Sequence, residues 1–104
     1  MTFEEIIKNQ ISFSEKTFGP GQRGAGLIDH IKKELIEIEK APGDIEEWIN
    51  MIILAIDGAW RNGYSPEEIV HMLIYKQIKN EKREWPDWRI VEPGKAIEHI
   101  KNTK

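Results

Sequence analysis

The sequence predicts an all-α fold: an antiparallel four-helix-type bundle with a short extra helix at its C-terminal end. Three observations carry that expectation. Apolar residues recur every three or four positions along most of the chain. No segment sustains the apolar–polar alternation of a half-buried strand. Clusters of Gly and Pro cut the 104 residues into four long segments and one short one.

The first helix is expected over 2–16, where Phe3, Ile6, Ile7, Gln10, Ile11 and Phe13 follow a loose helical period. Residues 17–26 hold four glycines and a proline, which predicts a loop free to approach a ligand with its amides. This loop lacks the Lys-Ser/Thr ending of a Walker P-loop. The second helix is expected over 27–40 and stops at Ala41-Pro42-Gly43, because proline cannot continue the hydrogen-bond ladder. Asp44 is placed as the N-cap of a third helix, 45–62, with Glu47 positioned to complete a capping box and Gly63 as the stop. Ser65-Pro66-Glu67-Glu68 is a strong start signal for a fourth helix, 66 to about 83. Trp85-Pro86-Asp87-Trp88 ends it, and Lys95–Lys101 reads as the short terminal helix.

Length predicts one domain over 1–104, with a core modest enough that association with another chain would help cover it. A net charge of -3 gives no bulk attraction for a nucleic-acid polymer. The absence of cysteine excludes disulfides and thiolate zinc sites and suits a cytoplasmic location. The N-terminus lacks the basic-then-apolar order of a secretory signal, and the greasy stretch Trp48–Trp60 is too short and too interrupted to span a bilayer, so no membrane partner is expected.

Two carboxylate-bearing pairs stand out. Glu34 and Glu37 lie three apart on the second helix, and Glu47 lies three before Asn50 on the third, so each pair shares one helix face. A hairpin would bring the pairs face to face as a nest of oxygen ligands, the set that a hard cation such as Mg²⁺, or Mn²⁺, prefers. Glu34 and Glu37 share their stripe with Leu27, Ile31 and Ile38. On the third helix, Glu47, Asn50, Leu54, Asp57 and Arg61 form a polar line opposite Trp48, Met51, Ile52, Ala55, Ile56 and Ala59. That much apolar surface predicts a central helix. The competing reading is a pair of solvated faces supported by contacts such as Lys33–Glu37. On the fourth helix, Lys76, Asn80 and Arg83 share a face and offer donors to phosphate oxygens. His30 reads as a carboxylate partner or, less readily, a metal ligand, and it joins Lys76, Asn80 and Arg83 among the substrate-binding candidates.

The ordered set Thr17-Phe18-Gly19-Pro20-Gly21, His30, Lys33-Glu34-Leu35-x-Glu37, Glu47-Trp48-Ile49-Asn50, Asp57-Gly58-Ala59 and Lys76-x-x-x-Asn80-x-x-Arg83-x-Trp85-Pro86 resembles the dATP/dGTP diphosphohydrolase N-terminal domain family, within the MazG-like all-α NTP pyrophosphohydrolase superfamily. The resemblance covers about residues 13–89. It implies hydrolysis of a nucleoside triphosphate between the α and β phosphates, yielding a monophosphate and pyrophosphate, by a homodimer or homotetramer. It implies Mg²⁺ on Glu34, Glu37 and Glu47, with Asn50 where the family pattern has Asp, and nucleotide contacts from Lys76, Asn80 and Arg83. Within that reading Glu37 or Glu47 is the general base, and Lys76 and Arg83 stabilise the leaving pyrophosphate. Asn50 ligates a cation more weakly than Asp, and Asp57, two turns along, is the residue placed to compensate. Only nine residues separate Glu37 from Glu47, a tight hairpin. The rival readings are a weakened, nucleotide-binding module and a purely structural helical bundle.

Overall fold

The computed structural model describes residues 1–101. The described residues form four α-helices, α1 (Phe3–Phe18), α2 (Gly24–Lys40), α3 (Ile45–Arg61) and α4 (Pro66–Lys82), and one 3₁₀ turn, η1 (Trp88–Ile90), with no strand. The all-α expectation holds. The chain divides into two compact units, Met1–His71 and Met72–Lys104.

In the first unit α3 packs against both α2 and α1. A capping box starts α1: Thr2 Oγ1 accepts from the Glu5 amide at 3.1 Å and Glu5 Oε1 accepts from the Thr2 amide at 3.4 Å. The helix runs through Phe18 and ends at Gly19, whose φ of +90° suits glycine. The loop expected over 17–26 is therefore shorter, because α2 already begins at Gly24. Asp44 caps α3 by accepting from the Glu46 amide at 3.0 Å. The connection is stitched by Trp48, whose indole N–H donates to the Pro42 carbonyl at 2.9 Å. Glu47 does not close a capping box; its carboxyl is engaged elsewhere. At the α2–α3 crossing, a Cβ on Gly58 would lie 3.4 Å from Leu27 Cδ2, so glycine permits a close approach there.

The buried aliphatics are Ile7, Leu27, Ile38, Leu54 and Ile56, and among them sit four polar residues, Ser14, Glu34, Asp57 and Arg61. Full burial of one such aliphatic side chain stabilises by roughly 1.5–3 kcal/mol. The sequence reading of α3 is corrected on one point. Of its apolar side only Ile56 is buried, whereas Trp48, Ile52 and Ala55 are exposed; the inward course of Leu54, Asp57 and Arg61 agrees with the expectation for a polar line on a central helix. Periodicity identifies two faces of a helix without saying which one a neighbour covers.

Ser65 and Glu68 form the expected reciprocal cap of α4, each amide donating to the other side chain at 3.1 Å. No residue of α4 is buried, and Met72, Leu73, Ile74, Tyr75 and Ile78 are exposed. In the second unit the segment expected as a terminal helix over Lys95–Lys101 is not helical. A segment so short rarely holds a helix alone. Here it turns at Glu92–Lys95, and the Ile100 amide donates to the Glu84 carbonyl at 2.8 Å. Among the described residues no helix is long and apolar enough to cross a membrane.

Candidate active site

Helical spacing places Glu34 and Glu37 one turn apart on α2, and the cap at Asp44 places Glu47 in the first turn of α3. The hairpin brings Glu47 against Glu34. The proximity of the Glu34 carboxyl, through a side-chain interaction with it, is the main cause that raises the Glu47 pKa from its ordinary 4.5 to about 7. Desolvation and repulsion from Glu34, Asp44 and Glu37 add to it. Glu34 is only 7% exposed, and its Oε1 is buried with no hydrogen-bond partner. Glu37 is exposed, with Lys40 Nζ at 3.8 Å. Lys33 pairs with Asp29 at 3.4 Å rather than with Glu37.

Among the described residues no three His, Asp or Glu side chains form a ready-made metal centre. The donors nevertheless fit a hard cation. Glu34 and Glu47 repel one another across the hairpin, Glu34 carries an unpartnered oxygen, and Glu37 lies one turn along α2 from it. A divalent ion relieves the repulsion that a proton relieves in the free protein.

Asp57 is buried, and both of its oxygens are occupied: Trp60 Nε1 donates to Oδ1 at 2.7 Å and Arg61 Nε to Oδ2 at 2.9 Å. Arg61 uses all five donors. Beyond Asp57 it reaches the Gly19 and Gly21 carbonyls at 2.9 and 2.8 Å, and the Ser14 carbonyl and hydroxyl at 3.3 and 2.8 Å. The glycine loop is therefore pinned through its carbonyls. A cleft of about 290 Å³ opens in this unit, with His30, Glu34, Asn50 and Asp57 in its lining together with Gln10, Phe13, Phe18 and Arg23. His30 lies edge-on to Phe18, with ring centroids 6.4 Å apart.

The sequence profile of the dATP/dGTP pyrophosphohydrolase family matches residues 6–103. The chain belongs to this family. No curated protein and no solved structure matches it.

Family membership directs attention to the second unit as well. There Arg83 donates to Asn80 Oδ1 at 3.1 Å, and the Trp85 indole donates to the Asn80 carbonyl at 2.7 Å. Lys76 and Arg83 both act on His99: desolvation lowers its pKa first, followed by repulsion from Arg83, Lys101 and Lys76. His99 packs edge-on to Trp85 at 5.9 Å. The sequence gives no local sign of His99, because only the returning tail brings it to α4. The cleft residues Gln10, Phe13 and Arg23 were equally silent. Phe18 and its glycine neighbours form a legible motif, though without an indication that Arg61 holds the loop.

Proposed function

We propose that the chain hydrolyses dATP and dGTP to the deoxynucleoside monophosphate and pyrophosphate, dependent on Mg²⁺, with Mn²⁺ as a substitute. The observation that carries this reading is the buried Glu34 carboxyl, one oxygen without a partner, with Glu47 close enough for its pKa to be raised. Glu34, Glu37 and Glu47 would hold the cation, with Asn50 in the lining of the cleft that Glu34 also lines. The chemistry supplied by such an ion is a lowered pKa of bound water and neutralised phosphoryl charge. Glu37 or Glu47, whichever carboxyl is not bound to the cation, is the general base in this reading. Within the second unit, Lys76 and Arg83 offer charged donors suited to phosphate oxygens, and Arg83 is held by its hydrogen bond to Asn80. Asp57, with both oxygens taken, supports the loop more readily than it replaces the missing Asp at position 50.

Residues 1–104 act as one catalytic domain in this reading, since the family match spans both units. A homodimer or homotetramer is supported by the exposed Trp48, Ile49 and Ile52 of α3 and by the exposed apolar residues of α4. The cytoplasm, where free nucleotides are found, is the location we assign. The test is a panel of deoxynucleoside and nucleoside triphosphates with Mg²⁺ or Mn²⁺ and identified products. Monophosphate plus pyrophosphate from the purine deoxynucleotides is expected; orthophosphate as sole inorganic product, or no turnover, overturns it. Asn50 favours one second reading, a nucleotide-binding module without turnover. That module would be stabilised by dGTP against heat, release no pyrophosphate, and gain activity on Asn50→Asp.

A further inference from the structure

The cleft of the first unit has a wall of flat π-groups. Phe18 receives Phe13 edge-on at 6.2 Å and 86°, and His30 edge-on at 71°. The Arg23 guanidinium carbon lies 5.2 Å from the Phe18 ring centroid. Phe13 and Phe18 remain 56% and 41% exposed, so these rings are not spent on the core. Arg23 is also the one non-glycine residue with positive φ, +50°, among the described residues. A side chain rarely adopts that conformation without compensation, and such outliers cluster at ligand-binding sites. The loop between Phe18 and Arg23 is fixed at two carbonyls by Arg61, so the wall is set before any ligand arrives.

The same cleft is lined by Glu34, whose buried Oε1 lacks a partner. A volume of about 290 Å³ is at the small end of ligand pockets, enough for a nucleoside and too little for a triphosphate as well. Flat side chains and a carboxyl with an unpartnered oxygen in the lining of one cleft match a ligand with a planar ring and a phosphate chain. The amides of Gln10 and Asn50 in the lining offer both donor and acceptor, and an Arg or amide side chain is complementary to a purine edge at N7 and its exocyclic group.

We propose that Phe18 and Arg23 form the nucleobase seat of this cleft, where a purine base stacks against the Phe18–Arg23 pair while its phosphates lead toward Glu34. This rests on the reading of the chain as a nucleotide hydrolase and assigns the residues that select the base.

The test is calorimetric titration of dGMP and dAMP, at up to millimolar ligand and without metal, into the full chain, Phe18→Ala and Phe18→Leu. Inorganic tripolyphosphate with Mg²⁺ serves as the base-free probe, and circular dichroism checks that each variant folds. Loss of base stacking is expected to weaken purine monophosphate binding about tenfold or more in both variants. Leucine keeps apolar volume without a π-face. Tripolyphosphate affinity is expected to stay within twofold. Failure of either monophosphate to bind the unsubstituted protein, unchanged affinity in both variants, or an equal loss for tripolyphosphate overturns the seat. The two readings fail separately. Base-dependent binding without turnover keeps the seat and removes the hydrolase; turnover with a KM indifferent to Phe18 does the reverse.

Discussion

Replacing Arg61 by methionine isolates the interaction on which the first unit most depends. The Arg61 side chain is fully buried, 0% exposed, and its partner Asp57 nearly so at 4%. Methionine keeps the apolar stem and deletes five hydrogen bonds at once. The Gly19 and Gly21 carbonyls are near enough to solvent to find water, so their loss costs little. Asp57 cannot do so: it keeps only the Trp60 indole and becomes a buried carboxylate without a counter-charge. Removing one partner of a buried pair costs about 3–5 kcal/mol. A domain of this length is stable by only about 5–15 kcal/mol, so Arg61→Met should leave the fold marginal. Urea denaturation at pH 7 measures this. Adding Asp57→Asn is expected to return at least about 1 kcal/mol, because a neutral amide tolerates burial better than a lone carboxylate. A loss below about 1 kcal/mol for Arg61→Met would refute the reasoning, since that is the worth of an exposed pair.

Three further outcomes follow from the carboxylates and the basic face. The folded-state pKa of Glu47 is raised to about 7 from 4.5, so the folded protein holds a proton that the unfolded chain releases. Metal-free thermal stability should therefore fall as pH rises from about 4.5 to 7 and level off above, and Glu47→Gln should remove that component of the slope. Asn50→Asp adds a charge to the cleft that Glu34 also lines and should lower the Mg²⁺ concentration for half-maximal turnover roughly tenfold, read from metal-dependent pyrophosphate release. Lys76→Ala and Arg83→Ala should each reduce kcat/KM for dGTP by about tenfold or more, with little change in melting temperature, because Lys76 lies on α4, which has no buried residue, and the half-buried Arg83 just beyond it makes one side-chain hydrogen bond, to Asn80.

Much of the fold was legible because its signals are local. The Ser65–Glu68 cap, the Asp44 cap and the Gly63 stop, with φ +96°, were all readable within four residues of chain. The inward course of the line Leu54, Asp57, Arg61 was also anticipated, from the polar stripe on an otherwise apolar helix. What escaped depends on long-range partners. Glu47 satisfies the spacing of a capping box, yet Glu34 competes for its carboxyl across the hairpin. Asp57 has the spacing of a supplementary ligand, yet the side chains one turn on, Trp60 and Arg61, claim both oxygens. The Lys95–Lys101 segment has helical amphipathicity but trades it for a backbone bond to Glu84. The exposure of Trp48 and Ile52 was hidden too, because hydrophobicity alone does not reveal whether the covering surface comes from the same chain.

The most direct test concerns the cation at Glu34 and Glu47. Calorimetric titration of Mn²⁺ at pH 8 and pH 6 should be run on the unsubstituted chain and on Glu34→Gln, each verified as folded. A saturable site is expected at pH 8, weakened up to about tenfold at pH 6 as Glu47 regains its proton, and lost in Glu34→Gln. Equal Mn²⁺ affinity in the two proteins, or affinity indifferent to pH across this range, would contradict the assignment of these carboxylates as the metal seat.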